Sequence, residues 1–572
     1  MTRKSIIFGS IIWLAWFGFG KGAAPILFFS DLTDGPISGW EKSDSVGAAV
    51  TIWGLNFGDT RGTSYLTCGG VNLTSDSNYV EWGVVNRPAT AQDSVDGYTS
   101  ARNLERTTFH LDSTMTAGAS SISVTTSEGI SNWLPFYCRE TGNIYFINRD
   151  GDDSDSGWYA DTAGHGAEGP WKLATKVKNL DTGDIAYFRE GIWNELDAWS
   201  GIIAFGNGSH GNGTENNSIT MASYPGEFAQ LGPGQTHAIT RFDDGILSYW
   251  TFSKFMFRAD VQWGISDAEG SDHIRFIGND YTADANVMNF DGGDSGLNCL
   301  YFYGNNGHDA GKSVRNDSFD CPDSWPARKY PLYIRGYGVL DSVDIGWNEF
   351  GYNQIGRGTQ IYGHASGDYV DNLFFHDNYI HHSGCHGVIF GGGDGGTYTM
   401  IKNAYIWNNI VAQNGKGRNG NGVGFQIVGG PTSSNFYIYN NTFYHNDVEL
   451  TIFTQPLETL DMKNNIIWAN GEYFDLTGPG SGCAGTKNAY YGASDIPGWD
   501  TGSLSGLSPN LVNPANGNFH LQAASPCVDS ASTITLTTPD YEGIKRPQGS
   551  AYDIGAYEYT GNDPKKYLPI RK

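Results

Sequence analysis

The chain carries FFHDNYI at residues 374–380, YIWNNIV at 405–411, YIYNNTF at 437–443 and DMKNNII at 461–467. The aligned asparagines are Asn378, Asn409, Asn441 and Asn465, and DIGWNEF at 344–350 and RFIGNDY at 275–281 extend the series back to Asn348 and Asn279. From Asn348 onward the steps are 30, 31, 32 and 24 residues. The 69-residue gap before Asn348 leaves room for about two more units of that length. A fixed period of this kind marks stacked repeats.

Within each unit apolar and polar residues alternate up to the Asn. A second short run follows, then Gly-rich punctuation such as SGCHG (383–387), GGGDGG (391–396) and NGNGVG (419–424). Alternation with a period of two, bounded by turn residues, predicts short strands and no helices. An Asn at one point of every unit suits a bend that needs a left-handed backbone angle, which Asn tolerates better than any residue except Gly. Stacking sets these amides one strand spacing apart, where each bonds the next. The expected fold is all-β, a right-handed parallel β-helix whose rungs are these units.

Outside the repeat, 572 residues suffice for several domains and a large core. Seventy-eight glycines without a G-X-Y period and 14% aromatic residues suit a turn-rich β protein. A formal net charge of -26 argues against binding nucleic acid or an anionic membrane surface. Residues 1–24 read as a secretory signal: Arg3 and Lys4, an apolar run from Ile6 to Phe19, then Gly22-Ala23-Ala24. The expected location is therefore extracellular or at the cell surface. Seven cysteines in an exported chain predict disulfides. Proximity to module edges pairs Cys68 with Cys138, Cys299 with Cys321 and Cys483 with Cys527, leaving Cys385 as a buried thiol.

Residues 25–140 form a separate β module of short strands divided by turns, a small antiparallel sandwich. Its segments VTIWGLNFG (50–58) and AGASSISVTTSEGISNWLPF (117–136) resemble the IPT/TIG immunoglobulin-like domain. That resemblance implies a spacer or binding module without catalytic residues, and the composition break near Glu140 predicts that it folds on its own. Residues 141–480 hold the repeat. Their opening, from Gly142 to Trp193, resembles the start of many secreted β-helix proteins, with WKLATKVKNL (171–180) as the one expected helix, covering the open end of the core. The closing residues SPCVDSAST (525–533) and PDYEGIKRPQGSAYDIGAYEY (539–559) resemble the end of such proteins, so 481–572 is expected to cap the C-terminal end. The chain thus resembles the secreted bacterial right-handed β-helix superfamily, which includes pectate, alginate and chondroitin lyases and polygalacturonases. The resemblance implies the architecture strongly and the chemistry only weakly, with an extracellular polysaccharide as the expected partner.

Aligning PLYIRG, GTQIYG, GVIFGG, GVGFQI and ELTIFT leaves two outward columns. One holds Tyr333, Gln360, Ile389, Gly424 and Thr451, the other Arg335, Tyr362, Gly391, Gln426 and Phe453. Guanidinium and amide groups suit sugar carboxylates and hydroxyls, and rings suit sugar faces. A lyase acting on a uronic acid must neutralise the carboxylate and remove the adjacent C5 proton. Arg335, Arg357 and His386 are the candidates for the cation and the base, and Tyr362 for the acid. Tyr333, Gln360, Gln426 and Arg418 are the candidate substrate contacts. Asp150, Asp152 and Asp155, with Asp153, form a loop whose oxygens suit calcium or a solvated turn. A hydrolase needs paired carboxylates, which the columns lack. A non-catalytic adhesin is the alternative that needs no catalytic group at all.

Overall fold

The computed structural model describes residues 23–561 apart from 86–103, 198–200, 206–209, 233–239, 243–245, 260–264, 267–269, 284–287, 292–295, 309–320, 322–328, 337, 354, 364–366, 392–400, 416, 418–421, 429–433, 454–456, 471, 477–481 and 494–495. The secretory signal expected over 1–24 thus lies almost wholly outside the described residues.

From Ile144 onward the chain winds through three stacks of parallel strands. The first sheet has twelve strands, from Ile144–Ile147 to Cys483–Thr486, and the second has twelve, from Gly191–Trp193 to Leu504–Ser505. The third face is a three-stranded block beginning at Ile203–Phe205, then seven strands from Met288–Asp291 to Glu472–Leu476. One coil runs through Leu332–Gly336 on the third face, Val339–Gly346 on the first and Glu349–Gly351 on the second. This is the expected parallel β-helix. Its interior is a set of columns in which like residues stack coil on coil: Phe252, Phe276, Phe302, Ile345, Phe375, Ile406, Ile438 and Met462 are successive register partners. All are essentially buried, and each such side chain contributes roughly 1.5–3 kcal/mol by leaving water.

The asparagine ladder stands at the corner between the first and second sheets and is longer than the repeat suggested. Each Asn Oδ1 accepts both the backbone N–H and the Nδ2 of the Asn one coil earlier, as between Asn378 and Asn409, at 3.0 Å for both bonds. The chain of bonds runs through Asn279, Asn305, Asn348, Asn378, Asn409, Asn441, Asn465 and Asn488. Its last amide is held by Asp500 and Ser503. The left-handed residue is not the ladder Asn, as expected from the sequence, but the one before it. Trp347, Asp377, Asn408, Asn440 and Asn464 have φ of 58°, 52°, 54°, 53° and 62°. The ladder Asn is chosen for its amide; its neighbour makes the bend. A second ladder, at the corner between the second and third faces, links Ser383, Asn414, Asn446 and Glu449.

Ahead of the solenoid, residues 26–139 form two further sheets, of four and six strands. Their core is continuous with the first coils: Trp40, Ala48 and Phe136 pack in one cluster with Phe146, Tyr187 and Ala222. Asp34 pairs with Arg139 at 2.8 Å and accepts the Ser218 hydroxyl at 2.7 Å, and Tyr187 donates to the Ala49 carbonyl at 2.8 Å. The composition break at Glu140 therefore does not divide two cores. The segment expected as a helix forms a 3-10 helix at Ala174–Asn179, and its Ala174 and Val177 cover the end of the solenoid core.

The C-terminal segment has two parts. Cys483–Thr486, Ala489–Tyr491 and Leu504–Ser505 add the last strands of the first two sheets, and Ala493, Ile496 and Trp499 pack against the solenoid core there. The rest folds back along the outer side of the second sheet, where Phe519, Tyr541 and Ile554 cover Tyr379, Ile410 and Tyr444. Side chains at the corner fix it there: Asn408 Nδ2 donates to the Pro539 carbonyl at 2.9 Å, Asn440 Nδ2 to the Asp553 carbonyl at 2.9 Å and Asn464 Nδ2 to the Ser532 carbonyl at 2.8 Å. The expected disulfides are corrected as well. Cys385 is bonded to Cys321, which joins a third-face approach to a corner of the next coil. Cys68 and Cys138 lie 3.9 Å apart as thiols, and Cys299, Cys483 and Cys527 are thiols too.

Candidate functional site

On the third face Tyr333 is the register partner of Gln360, and Arg335 of Tyr362. The next pairings are Gln360 with Ile389, Ile389 with Gln426, and Gln426 with Thr451. Gln426 therefore belongs to the Tyr333 column and not, as the sequence alignment has it, to the Arg335 column. The strand GVGFQIV enters two residues later than its Gly-rich start suggests, because Val388 pairs with Phe425.

These side chains meet. Arg357 Nη1 donates to Gln360 Oε1 at 2.8 Å and to the Tyr330 hydroxyl at 3.3 Å, with its guanidinium over the Tyr330 ring. Gln360 Nε2 donates to the Gly391 carbonyl at 3.2 Å. The hydroxyls of Tyr333 and Tyr362 share a hydrogen bond, and the Tyr330 and Tyr333 rings lie 5.1 Å apart. Burial and the neighbouring Tyr362 push the Tyr333 phenol far above its ordinary value, so it is a proton donor at any physiological pH. Tyr333, Arg357, Gln360, Tyr362, His386 and Gln426 are all 9% exposed or less. Arg335 is half-buried and is the member of the group that solvent reaches most readily.

His386 sits beside this cluster with its Nδ1 accepting the Val423 N–H at 3.0 Å. That bond occupies the lone pair a general base would use and leaves the proton of the neutral ring on Nε2. His381 is buried against Glu349 Oε1 at 3.0 Å, a packing role for the His381-His382 pair. Arg418 lies outside the described residues.

In the acidic loop, Asp152 Oδ1 accepts the Ser154 N–H and hydroxyl, and Asp153 Oδ1 accepts the N–H groups of Lys172 and Leu173. These bonds tie the loop to the start of the 3-10 helix. Among the described residues no group of three or more His, Cys, Asp or Glu side chains is placed to hold a metal ion.

A second place went unnoticed in the sequence. A cleft of about 480 Å³ opens between the N-terminal module and the first sheet, with Asp34 on one side and Thr251, Arg275 and Tyr301 on the other. Thr251, Arg275 and Tyr301 are successive register partners on the outward side of that sheet. Beyond the module the same column continues through Asp344, Phe374, Tyr405 and Tyr437, whose rings stack at 5.4 and 5.0 Å. The signal was present in the repeat itself: from Arg275 onward each of these residues stands four positions before its ladder Asn, so the phrase that encodes the corner also encodes this outward column and its aromatic members.

No protein-family model matches the sequence, and no curated protein is similar to it. Among solved structures the chain is similar to pectate lyase Pel9A, with a TM-score of 0.36 and 13% identity over 73% of this chain and 96% of that one. It is also similar to the PL6 family alginate lyase AlyGC, with a TM-score of 0.29 and 13% identity over 61% of this chain. The chain spans 54% of the length of that alginate lyase. No helix among the described residues is long and apolar enough to cross a membrane.

Proposed function

We propose that this protein acts outside the cell on an anionic, uronate-containing polysaccharide and cleaves it by β-elimination on the third face. The observation that carries this reading is the meeting of Arg335, Arg357, Gln360, Tyr333 and Tyr362 on adjacent coils. In it, Arg357 neutralises the uronate carboxylate, which acidifies the C5 proton. As that proton leaves, the C4–O bond breaks, a C4–C5 double bond forms, and the Tyr362 phenol protonates the departing oxygen. His386 orients the Val423 backbone and is not the base. Arg335, the guanidine that solvent reaches most readily, is the group we assign as the base: in its neutral form it takes the C5 proton and becomes a guanidinium. Calcium is given no step, because Asp152 and Asp153 are engaged in holding their own loop.

The test is incubation with alginate, pectate, a glycosaminoglycan and ulvan, followed by the ultraviolet absorbance of the unsaturated product. We expect absorbance with at least one polymer and at least a tenfold loss in Arg335→Ala. New reducing ends without absorbance would indicate hydrolysis. The burial of the cluster and the engaged His386 ring favour a second reading, in which the face holds a polymer without cutting it. Binding with no chain shortening would select that one.

A further inference from the structure

We propose that the cleft between the N-terminal module and the first sheet is a separate binding site for a neutral sugar or short neutral oligosaccharide. Its volume, about 480 Å³, lies in the range of small-ligand sites.

Three features point to the ligand. First, the Tyr249 and His273 rings line the cleft and stack on each other at 4.1 Å and 7°. Each holds the other in place, so a sugar ring meets an aromatic surface already ordered, and little side-chain entropy is lost on binding. Second, Thr251 lines the wall with only 1% exposure, and its Oγ1 has no hydrogen-bond partner. A buried hydroxyl without a partner costs about 1–3 kcal/mol, and a ligand hydroxyl in the cleft would supply the missing bond.

Third, the charges are mixed and largely spent within the protein. Asp34 pairs with Arg139, and Arg275 donates to the carbonyls of Ser30, at 2.8 Å, and Asp31. Glu215 adds a negative charge at the rim. The cleft therefore offers both donors and acceptors without a positive field, which suits hydroxyls and disfavours a uronate. The bonds from Arg275, together with the Ser218 hydroxyl donated to Asp34, bridge the module and the solenoid, so the two walls are fixed relative to each other before a ligand arrives.

The site is independent of the third-face reading, and calorimetry on the full chain tests it with maltotetraose, cellotetraose and mannotetraose, and with tetragalacturonate as the anionic control. We expect saturable binding of at least one neutral tetrasaccharide, tighter than that of tetragalacturonate. We expect it to weaken tenfold or more in Tyr249→Ala and in Thr251→Val. Thr251→Val should keep or raise the thermal midpoint, since it removes an unpartnered buried hydroxyl, so that weaker binding there reports on the site and not on folding. Arg335→Ala should leave this binding unchanged. The proposal is overturned by no binding of any neutral tetrasaccharide, by tighter binding of the anionic one, by parental affinity in both cleft variants, or by loss of binding in Arg335→Ala.

Discussion

The ladder asparagines show how much one side chain can carry. Asn409 donates through Nδ2 to the Phe375 carbonyl at 2.8 Å and to Asn441 Oδ1 at 3.0 Å, while its Oδ1 accepts two bonds from Asn378. Asn409→Val removes all of these and leaves the Asn378 N–H buried without a partner. We expect a loss of about 2–4 kcal/mol, chiefly from desolvated groups left unpaired. Backbone strain adds nothing there, because the left-handed angle belongs to Asn408. Asn72→Val, on an exposed strand of the module, should change stability by no more than about 0.5 kcal/mol. Equal denaturation midpoints for the two variants would refute the ladder's energetic role.

At the scale of elements, adjacent coils are joined by more than strand pairing. His376, on the outward side of the first sheet, bridges Asp344 of the previous coil at 2.9 Å and Asp377 at 2.8 Å, with the Trp407 ring stacked 4.4 Å away. Burial alone would depress its pKa, but the two carboxylates outweigh it and hold the ring at about 9. The native state then binds more protons than the unfolded chain between pH 6.5 and 9. This contribution is complete below pH 6.5 and is lost as pH rises through 9, with a span of about 3 kcal/mol. His376→Gln should abolish that part of the dependence, so the gap between parent and variant urea midpoints should narrow from pH 6.5 to pH 9. A constant gap would show that the imidazolium is not what the aspartates stabilise.

For the whole molecule, the shared core between the module and the first coils decides what can be cut. A chain beginning at Thr141 would expose Phe146 and Tyr187, and strip Lys254 of Asp31 and Thr51. We expect it to unfold at least about 10 °C below the full chain, or without cooperativity. A midpoint within about 2 °C of the parent would mean that the two cores are separable after all. The C-terminal segment makes a comparable contribution by covering apolar side chains along the second sheet, where Tyr444 and Ile466 would otherwise face water.

The solenoid was legible because its information is local and repeated: the alternation, the Asn spacing and the Gly-rich corners recur in each coil, and stacking adds a bond at every step. Arg335 beside Tyr362 and Tyr333 beside Gln360 follow from the same repeat. What the sequence could not decide depends on contacts between distant segments. The shift of Gln426 by two residues depends on how the chain enters its strand. The Cys321 to Cys385 bond, the Val423 N–H donated to His386 Nδ1 and the fold-back of residues 511–557 depend on which groups burial brings together. The cleft against the first sheet needs the module docked on the solenoid, since Asp34 and Thr251 are far apart in the chain and become neighbours through packing alone. By itself the sequence determined the repeating unit and its stacking, where each coil meets a copy of its own pattern. The tertiary structure decided every surface where unlike segments meet, because no periodicity encodes those contacts.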